Sequence, residues 1–237
     1  MSAFEAGFTV THELAAMHRT LRPSGMLRLM QSAAVAHTEA LGMGREKTFD
    51  KGLLWAVTRQ YAEIARMPVY GETVTLRTWP GKTMHVLFPR YCEFIAENGE
   101  TLIRTSSVWV LVDEKTRRFA FPEEHGVHVE GVTTGTELPL PPAPAPLPET
   151  AHTAFTVPYS YVDINGHMNN ARYLDVAEDV TPCAAEGRPL ASLSIEYKQE
   201  ARLHEALLLT VGSDGGGRYS VCGSTDKTSF LVDLNYR

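Results

Sequence analysis

Hydrophobic and polar residues follow two periods along the chain, first helical and then alternating. A short strand-type run at residues 7–12 comes first. Between Ser24 and Gly42, apolar residues then recur at the spacing of one helix face, at Leu27, Met30, Ala34 and Leu41. Alternating runs follow at residues 53–66, 73–79, 85–96 and 101–112. The first half therefore predicts a long helix followed by four strands.

The last two of these strands are expected to form a hairpin. They are separated by the residues Glu97-Asn98-Gly99-Glu100. An Asn-Gly pair readily adopts the positive φ angles that a tight hairpin turn requires. The sheet of the first half is therefore expected to be antiparallel.

The second half repeats the same order of elements in fewer residues. A strand-type run at residues 154–159 precedes a predicted helix over about residues 167–185. The apolar face of that helix consists of Ala171, Leu174, Ala177 and Val180. Further strand-type runs follow at residues 191–202, 206–211, 219–223 and 229–236. Glu200 is expected to lie on the first of these strands.

A proline-rich segment separates the two halves. Six of the ten residues from Pro139 to Pro148 are proline. Proline has no backbone N–H and favours extended polyproline geometry, so this segment cannot join a sheet or a helix. We expect a stiff linker over residues 126–152, which joins an N-terminal unit, residues 1–125, to a C-terminal unit, residues 153–237.

The two halves also match at the level of residues. The match consists of Tyr61, Ala65, Arg66 and Met67 in the first half against Tyr197, Ala201, Arg202 and Leu203 in the second. Because it falls within the same order of elements, it favours a duplicated unit. A helix can bury its apolar face against an antiparallel sheet, and a second unit can extend the edge that one sheet leaves unpaired. The sequence thus predicts an α+β chain with two such units.

Composition and charge narrow the class of protein. The formal net charge of −6 at pH 7 argues against nucleic acid binding. No run approaches the roughly 18 apolar residues of a membrane span, and residues 1–10 lack the pattern of a secretory signal. The three cysteines are too few for a disulfide framework and suit a reducing compartment. We therefore expect a cytoplasmic protein that binds neither nucleic acid nor membrane.

Reactive side chains concentrate in residues 162–173. Asp163, Asn165 and His167 supply a carboxylate, an amide and an imidazole where a strand is predicted to end and a helix to begin. A helix start offers free backbone N–H groups and a partial positive charge, which suit a polarised carbonyl or an oxyanion. A helix cap with a turn at Gly166 explains part of this segment, but a cap needs only one such side chain.

Three segments carry a resemblance to a known family. Residues 163–173, Asp-Ile-Asn-Gly-His-Met-Asn-Asn-Ala-Arg-Tyr, resemble the active-site segment of the acyl-acyl-carrier-protein thioesterases, the hydrolases that release fatty acids in plants and bacteria. Residues 196–201, Glu-Tyr-Lys-Gln-Glu-Ala, are similar to the second motif of that family. Residues 112–118, with a proline at 122, are similar to a segment of its first half that ends in Lys-Thr-Arg-Arg. The resemblance covers almost the whole chain.

The resemblance implies a double-hotdog fold, in which each unit packs a long helix on an antiparallel sheet. It implies hydrolysis of fatty acyl thioesters carried by acyl carrier protein (ACP), a reaction of fatty acid biosynthesis, without a cofactor or a metal ion. It also implies a catalytic network of Asp163, Asn165, His167 and Glu200. The family's cysteine position holds Ala201 here, which excludes a thiol nucleophile at that position and favours direct attack by water.

The first half lacks the catalytic residues. Residues 22–26 contain no histidine, and Ile64 stands where Glu200 stands in the second half, so we expect one active site per chain. The resemblance implies that the first half holds the acyl chain. Candidate residues for this role are Leu27, Met30, Ala34 and Trp55, although ordinary core packing explains the same residues.

Several alternatives remain open at this point. An acyl-CoA thioesterase would perform the same chemistry on a nucleotide handle, whereas a non-catalytic acyl-thioester-binding protein would perform none. A hydratase or dehydratase would leave the thioester intact. Glu200 has a plain structural alternative, a salt bridge to Arg202 or Lys198. The choice of general base between Glu200 and His167, the preferred acyl chain and the formation of a homodimer also stay open.

Overall fold

The computed structural model describes residues 2–132, 134, 136 and 138–237. In the first half, the main elements are β1 (Phe4–Thr9), α1 (Pro23–Ala40), β2 (Leu53–Ile64), β3 (Thr73–Pro80), β4 (Phe88–Ala96) and β5 (Thr101–Asp113). In the second half, they are β6 (Glu149–Thr156), α2 (Arg172–Asp179), α3 (Pro182–Ala185), β7 (Leu190–Tyr197), β8 (Ala206–Ser213), β9 (Arg218–Ser224) and β10 (Thr228–Tyr236). The predicted order of elements is confirmed in both halves.

The ten strands within the described residues form one continuous sheet. Their order is β1-β3-β4-β5-β2-β7-β10-β9-β8-β6, so the two halves contribute their strands in mirrored order. Neighbouring strands pair antiparallel throughout. Strands β2 and β7 meet at the centre and join the two halves. The edge that each half would leave unpaired is therefore covered by the other half.

The central pairing has the register expected of a duplicated unit. In the sequence match, each residue of the second half follows its counterpart by 136 positions. Arg59 pairs with Glu196. Adding 136 to the number of Arg59 leads to Ile195, and subtracting 136 from the number of Glu196 leads to Gln60. Gln60 and Ile195 also pair. The two halves are therefore related by an approximate two-fold axis at the centre of the sheet.

Helix α1 begins and ends at residues suited to those positions. Pro23 occupies the first helical position, where its missing N–H is not needed. The helix ends at Ala40, and Gly42 follows with a φ of +68°. The buried face includes Met26, Leu27, Met30 and Ala33, which belong to the core cluster between helices and sheet. Burial of this apolar face fixes the helix on the sheet.

The second helix is shorter than the sequence pattern predicts. It begins at Arg172 instead of near His167, and a separate short helix covers Pro182–Ala185. The break falls at Thr181, which has an extended ψ of 132° because the residue before a proline avoids helical geometry. Residues 163–171 form turns instead of a first helical turn. The helix start predicted beside His167 therefore lies further along the chain.

Three strands begin at other residues than predicted. Strand β1 covers Phe4–Thr9, so it starts and ends three residues earlier than the predicted range of 7–12. Strand β4 begins only at Phe88, because the chain first turns at His85, which has a φ of +56°. Strand β6 begins at Glu149, inside the segment 126–152 that was predicted as linker.

The end of β7 corrects the predicted place of Glu200. The strand ends at Tyr197. Glu200 therefore lies in the loop that follows, and the prediction that it lies on the strand is wrong. After Tyr197 the regular pairing ends with Lys198 and Gln199, whose N–H groups both donate to the carbonyl of Ser229, so the side chains that follow can turn toward the helix-bearing face of the sheet.

The proline-rich segment crosses the opposite face of the sheet. The carbonyl of Pro142 accepts a hydrogen bond from Ser194 Oγ over 3.0 Å, and the N–H of Leu147 donates to Ser220 Oγ over 2.9 Å. Both neighbours of Ser194 in β7 belong to the core, so Ser194 itself points away from the helices. Residues 138–148 form neither strand nor helix, as their composition predicts.

Candidate active site

One large cavity lies where the two halves meet. Its volume is about 650 Å³, within the range of small-molecule sites. The first half contributes the last turns of α1 and parts of β2 and β5, and the second half contributes residues of the loops before α2 and after β7. The lining includes all four predicted catalytic residues, Asp163, Asn165, His167 and Glu200.

Asp163 shapes the turn that leads to His167. Its Oδ1 accepts a hydrogen bond from the backbone N–H of Asn165 over 2.9 Å, and its own N–H donates to the carbonyl of His167 over 3.0 Å. Gly166 has a φ of +80°, which glycine adopts without steric conflict. Asn169 Nδ2 approaches the other carboxylate oxygen at 3.4 Å. Asp163 therefore orients the loop, while the side chain of Asn165 is exposed at the cavity mouth.

Backbone contacts join this turn to the loop after β7. His167 and Arg202 form an antiparallel bridge, and the N–H of Met168 donates to the carbonyl of Ala201 over 2.7 Å. The result is that His167 Nε2 lies 3.8 Å from Glu200 Oε1. Two segments from either side of α2 thus bring an imidazole and a carboxylate together inside one cavity.

The contacts of His167 assign its tautomer. Nδ1 lies 3.3 Å from the carbonyl oxygen of Met168. Because a carbonyl oxygen only accepts hydrogen bonds, this contact assigns the ring proton to Nδ1. In the neutral ring with this tautomer, Nε2 carries the lone pair and faces Glu200.

Two guanidinium groups flank Glu200. Arg117 Nη1 lies 3.1 Å from Oε1, and Arg202 Nη2 lies 3.7 Å from Oε2. Lys198, the other partner considered from the sequence, pairs with Glu196 at 3.2 Å instead. Glu200 therefore forms the expected structural contact with Arg202 and at the same time faces the imidazole.

Arg117 is a site residue that the sequence did not assign to this cavity. It lies in the turn after β5 with a φ of +56°, which is uncommon for a residue with a Cβ atom. Asp113 holds this turn, because its Oδ1 accepts hydrogen bonds from the N–H of Thr116 (2.7 Å) and of Lys115 (3.1 Å). These bonds, the one from Thr116 foremost, lower the pKa of Asp113. The sequence shows the basic residues at 115–118, but it does not show that Arg117 contacts Glu200 of the second half.

Two tyrosines support the loop after β7. Tyr173 and Tyr197 line the cavity and pack edge to face, with ring centroids 5.2 Å apart. The N–H of Ala201 donates to the hydroxyl of Tyr173 over 3.3 Å, and burial raises the pKa of Tyr173 to about 12. The hydroxyl of Tyr197 lies 2.8 Å from Gln60 Oε1 and 3.0 Å from the carbonyl of Asn170. These contacts fix the loop that carries Glu200.

Two of the four predicted acyl-chain residues line the cavity. They are Ala34 on α1 and Trp55 on β2. Leu27 and Met30 lie instead in the core cluster and are not among the lining residues. The physical reason is their place on α1, since the helix reaches the cavity only from Gln31 onward. Core packing, the alternative noted from the sequence, describes these two residues.

The described part of the cavity wall contains no thiol. Cys92 and Cys183 are buried elsewhere and Cys222 is partly buried on β9. Ala201 next to Glu200 is fully buried. Among the described residues, no group of three or more His, Cys, Asp or Glu side chains is arranged to hold a metal ion. The groups available for chemistry in the cavity therefore include an imidazole, carboxylates, amides, hydroxyl groups, an ammonium group and guanidinium groups.

A helix packed on each half of a shared antiparallel sheet, with a cavity where the halves meet, defines the class of double-hotdog proteins. The sequence profile of the acyl-ACP thioesterase N-terminal domain matches residues 2–125, and that of the C-terminal domain matches residues 145–229. The chain therefore belongs to the acyl-ACP thioesterase family, and the resemblance seen in its motifs is confirmed.

Curated relatives carry names of the same family. A palmitoyl-acyl carrier protein thioesterase of Cuphea hookeriana is 27% identical over 233 residues, which cover 91% of this chain and 56% of the relative. A dodecanoyl-[acyl-carrier-protein] hydrolase of Cinnamomum camphora is 27% identical over 207 residues, which cover 79% of this chain and 53% of the relative. Both are described as chloroplastic. The chain thus spans about half the length of these relatives.

Solved structures show the same fold. An acyl-ACP thioesterase from Bacteroides thetaiotaomicron superposes with a TM-score of 0.84 at 20% identity and covers 100% of both chains. The 12:0-ACP thioesterase from Umbellularia californica gives a TM-score of 0.79 at 21% identity, covering 99% of this chain and 97% of the other. The predicted fold of two tandem hotdog units is confirmed. Among the described residues, no helix combines the length and hydropathy needed to cross a membrane.

Proposed function

We propose that this protein hydrolyses the thioester of fatty acyl-ACP and releases the free fatty acid and the carrier thiol. Membership of the family supports this reaction class. The observation that carries the proposal is the approach of His167 Nε2 to Glu200 Oε1, 3.8 Å apart, within a cavity large enough for an acyl chain.

The distance between these two groups favours a shared water molecule. At 3.8 Å they are too far apart for a direct hydrogen bond, and both present acceptors. A water that donates one O–H to His167 and the other to Glu200 turns its lone pair outward, toward the thioester carbonyl. As the water attacks the carbonyl carbon, one of the two groups takes its proton, a contribution of about 10²–10⁴-fold in rate. The tetrahedral intermediate then collapses with cleavage of the C–S bond, and the proton passes to the leaving thiolate.

The other two candidates have supporting roles. Asp163 holds the turn through its hydrogen bond to the N–H of Asn165, so it acts as a positioning residue. Asn165 carries an exposed amide at the cavity mouth, which can donate to the thioester oxygen as negative charge develops there. One such donor typically contributes about 10²–10³-fold.

The acyl chain is proposed to run from this site into the first half. Residues 1–125 then hold the chain, with Ala34 and Trp55 at the cavity wall. The segment from residue 126 to the start of β6 at Glu149 links the units, and the C-terminal unit supplies the catalytic groups. ACP as the partner, a cytoplasmic location and formation of a homodimer stay predictions of this proposal.

The test measures thiol release from acyl-ACP and, in parallel, from acyl-CoA of the same chain. The wild type is expected to act faster on acyl-ACP, and His167→Ala and Glu200→Ala are each expected to lose most of the activity. His128→Ala is the matched control, because His128 pairs with Glu130 at the surface, outside the cavity lining. Wild-type rates in either cavity variant remove that residue from the mechanism, and absence of thiol release by the wild type removes the proposed reaction.

A further inference from the structure

Arg90 is one of the charged side chains that line the first-half part of the cavity, together with Glu39, Arg45 and Arg117. Arg90 of β4 lines the cavity between β3 and helix α1. Its Nη1 lies 3.3 Å from both His37 Nδ1 and Thr78 Oγ1, and its Nη2 donates to Thr38 Oγ1 over 3.2 Å. Apolar residues such as Val35 and Phe88 line the same cavity. The guanidinium is thus a polar patch on a wall suited to a hydrocarbon chain.

The charge of Arg90 is not balanced by an acid. Several other arginines of the first half have carboxylate partners; for example, Arg59 pairs with Glu196 at 2.7 Å and Arg66 with Glu72 at 2.8 Å. Among the residues that the structure describes, Arg90 has no carboxylate within ion-pair distance. Burial accordingly lowers the pKa of Arg90. Keeping an unpaired charge away from water is unfavourable unless a ligand or polar neighbours compensate it.

The neighbours of Arg90 are neutral and partly engaged elsewhere. Burial, followed by the charge of Arg90, lowers the pKa of His37 to about 4, so His37 is uncharged near pH 7. Thr38 Oγ1 also donates to the carbonyl of Ala34, and Thr78 Oγ1 to the carbonyl of Tyr91. These groups hold the guanidinium in place, but they supply no negative charge. A guanidinium has more N–H donors than these contacts use.

We propose that Arg90, with Thr38, forms a subsite for an oxygen-bearing group on the acyl chain, remote from the thioester. This inference rests on the proposed thioester hydrolysis and concerns the identity of the chain. The matching chemical class is an acyl chain that carries a hydroxyl, oxo or carboxylate group toward its far end. The shared feature is an oxygen that accepts a hydrogen bond.

The physical argument compares two chains of equal length. A plain hydrocarbon end displaces any water from Arg90 and leaves its donors unused, which is unfavourable. An oxygen at the same place accepts from the guanidinium, and a carboxylate also neutralises its charge. Hydrogen bonds to charged groups correspond to roughly tenfold to a hundredfold in affinity. The subsite therefore selects for the oxygenated chain.

The experiment compares acyl-ACP substrates in matched pairs of equal carbon number, one plain and one carrying a terminal hydroxyl or carboxylate, over a series of chain lengths. At the length that reaches Arg90, wild-type kcat/KM is expected to be about tenfold or more higher for the oxygenated member. Arg90→Met is expected to abolish that preference, because it should lower kcat/KM for the oxygenated member and raise it for the plain member, which no longer leaves a guanidinium unsatisfied. Arg90→Lys, which keeps the charge, is expected to retain part of the preference. Arg77→Met on neighbouring β3 is the control, because Arg77 does not line the cavity.

Two results overturn the subsite. One is a wild-type preference for the plain chain at every length. This result uses only the wild-type protein, so misfolding of a variant cannot affect it. The other is an oxygenated-chain preference that survives in Arg90→Met. If the wild type releases no thiol from any substrate, the hydrolysis proposal fails separately. Calorimetry with plain and terminally oxygenated fatty acids then still decides the subsite. The wild type should bind the oxygenated acid more tightly than the plain one, and Arg90→Met should bind both equally.

Discussion

The regions around the ends of β2 and β7 occupy equivalent places in the two halves but contain different chemistry. In the second half, Glu200 lies in the cavity with its side chain 33% exposed. Its first-half counterpart, Ile64, is 2% exposed and belongs to the core. A duplicated fold therefore repeats the backbone path without repeating the site. One half keeps a buried hydrocarbon where the other has a carboxylate open to a substrate.

The arginine retained in both halves shows the same division. Arg66 donates two hydrogen bonds to the carboxylate of Glu72, at 2.9 and 2.8 Å, and so closes a loop beside the sheet. Its counterpart Arg202 has a 69% exposed side chain that faces Glu200 at 3.7 Å. The same residue type is thus structural in one half and lies at the site in the other.

The segments before the helices differ in length. In the first half, Arg22 leads directly into α1, which is 18 residues long. In the second half, residues 163–171 form turns first, and α2 has only 8 residues. The second half therefore has a loop of polar side chains where the first half has helix.

The largest expected effect separates the paired positions Glu200 and Ile64. Glu200→Gln keeps the shape of the side chain but removes its charge, so kcat for thiol release should fall by about 10²–10⁴-fold while the melting temperature changes little. Ile64→Val should do the reverse, lowering the free energy of unfolding by about 0.5–1.5 kcal/mol with kcat nearly unchanged. Steady-state kinetics and thermal melts check both. An equal kinetic loss in the two variants contradicts the division of roles.

A smaller effect is expected for the two arginines beside Glu200. Arg117→Met removes the closer contact of 3.1 Å and should lower kcat by about tenfold, because the carboxylate loses its firmest partner. Arg202→Met removes a longer and more exposed contact of 3.7 Å, so its effect should be weaker. Comparison of kcat in the two variants decides the order. A greater loss in the Arg202 variant reverses this assignment.

The contact of Tyr197 across the halves should contribute modestly to stability. Tyr197→Phe removes the hydroxyl that lies 2.8 Å from Gln60 Oε1 and should lower the free energy of unfolding by about 1 kcal/mol. Urea denaturation measures the change. Tyr61→Phe is the control in the other half, where the hydroxyl lies 3.3 Å from Glu63 and is solvent accessible. A larger loss in the control shows that the contact between the halves is not the stronger one.

The smallest expected effect concerns pH and Glu72. The hydrogen bond from Arg66 lowers the pKa of Glu72 below its usual 4.5 in the folded state. A lowered folded pKa means stabilisation that is present above the unfolded pKa and is lost as the pH falls through the folded value. Glu72→Gln should therefore be less stable than the wild type by about 1 kcal/mol or less near pH 7, and the difference should shrink as the pH falls below 4.5 and through the lower folded pKa. The free energy of unfolding of both proteins, measured by urea denaturation near pH 7 and in acid, checks this. A difference between them that grows in acid contradicts a stabilising contact between Arg66 and Glu72.

The fold was largely predictable because periodicity and turn residues act locally. Helix α1 and the hairpin at Asn98 and Gly99 both follow from nearby residues. The start of α2 was not predictable, because residues 163–171 satisfy their backbone groups in turns that bind across to the loop after β7. Local periodicity cannot show such a long-range pairing.

The candidate site was only partly predictable. The motifs named His167 and Glu200, which the structure places in one cavity. Arg117 was missed because its approach to Glu200 depends on how the halves associate. Leu27 and Met30 were candidates for holding the acyl chain, but they lie in the core instead. Helix periodicity identifies an apolar face but does not show which of its turns reaches a cavity.

The central claim is that His167 and Glu200 act on one and the same water. A double-mutant cycle on kcat for thiol release from acyl-ACP, with His167→Ala, Glu200→Ala and the double variant, tests it most directly. Groups that act as a unit give strongly non-additive losses, so the double variant should be little slower than the slower single variant. Losses that multiply in the double variant mean that the two side chains work independently and contradict the claim.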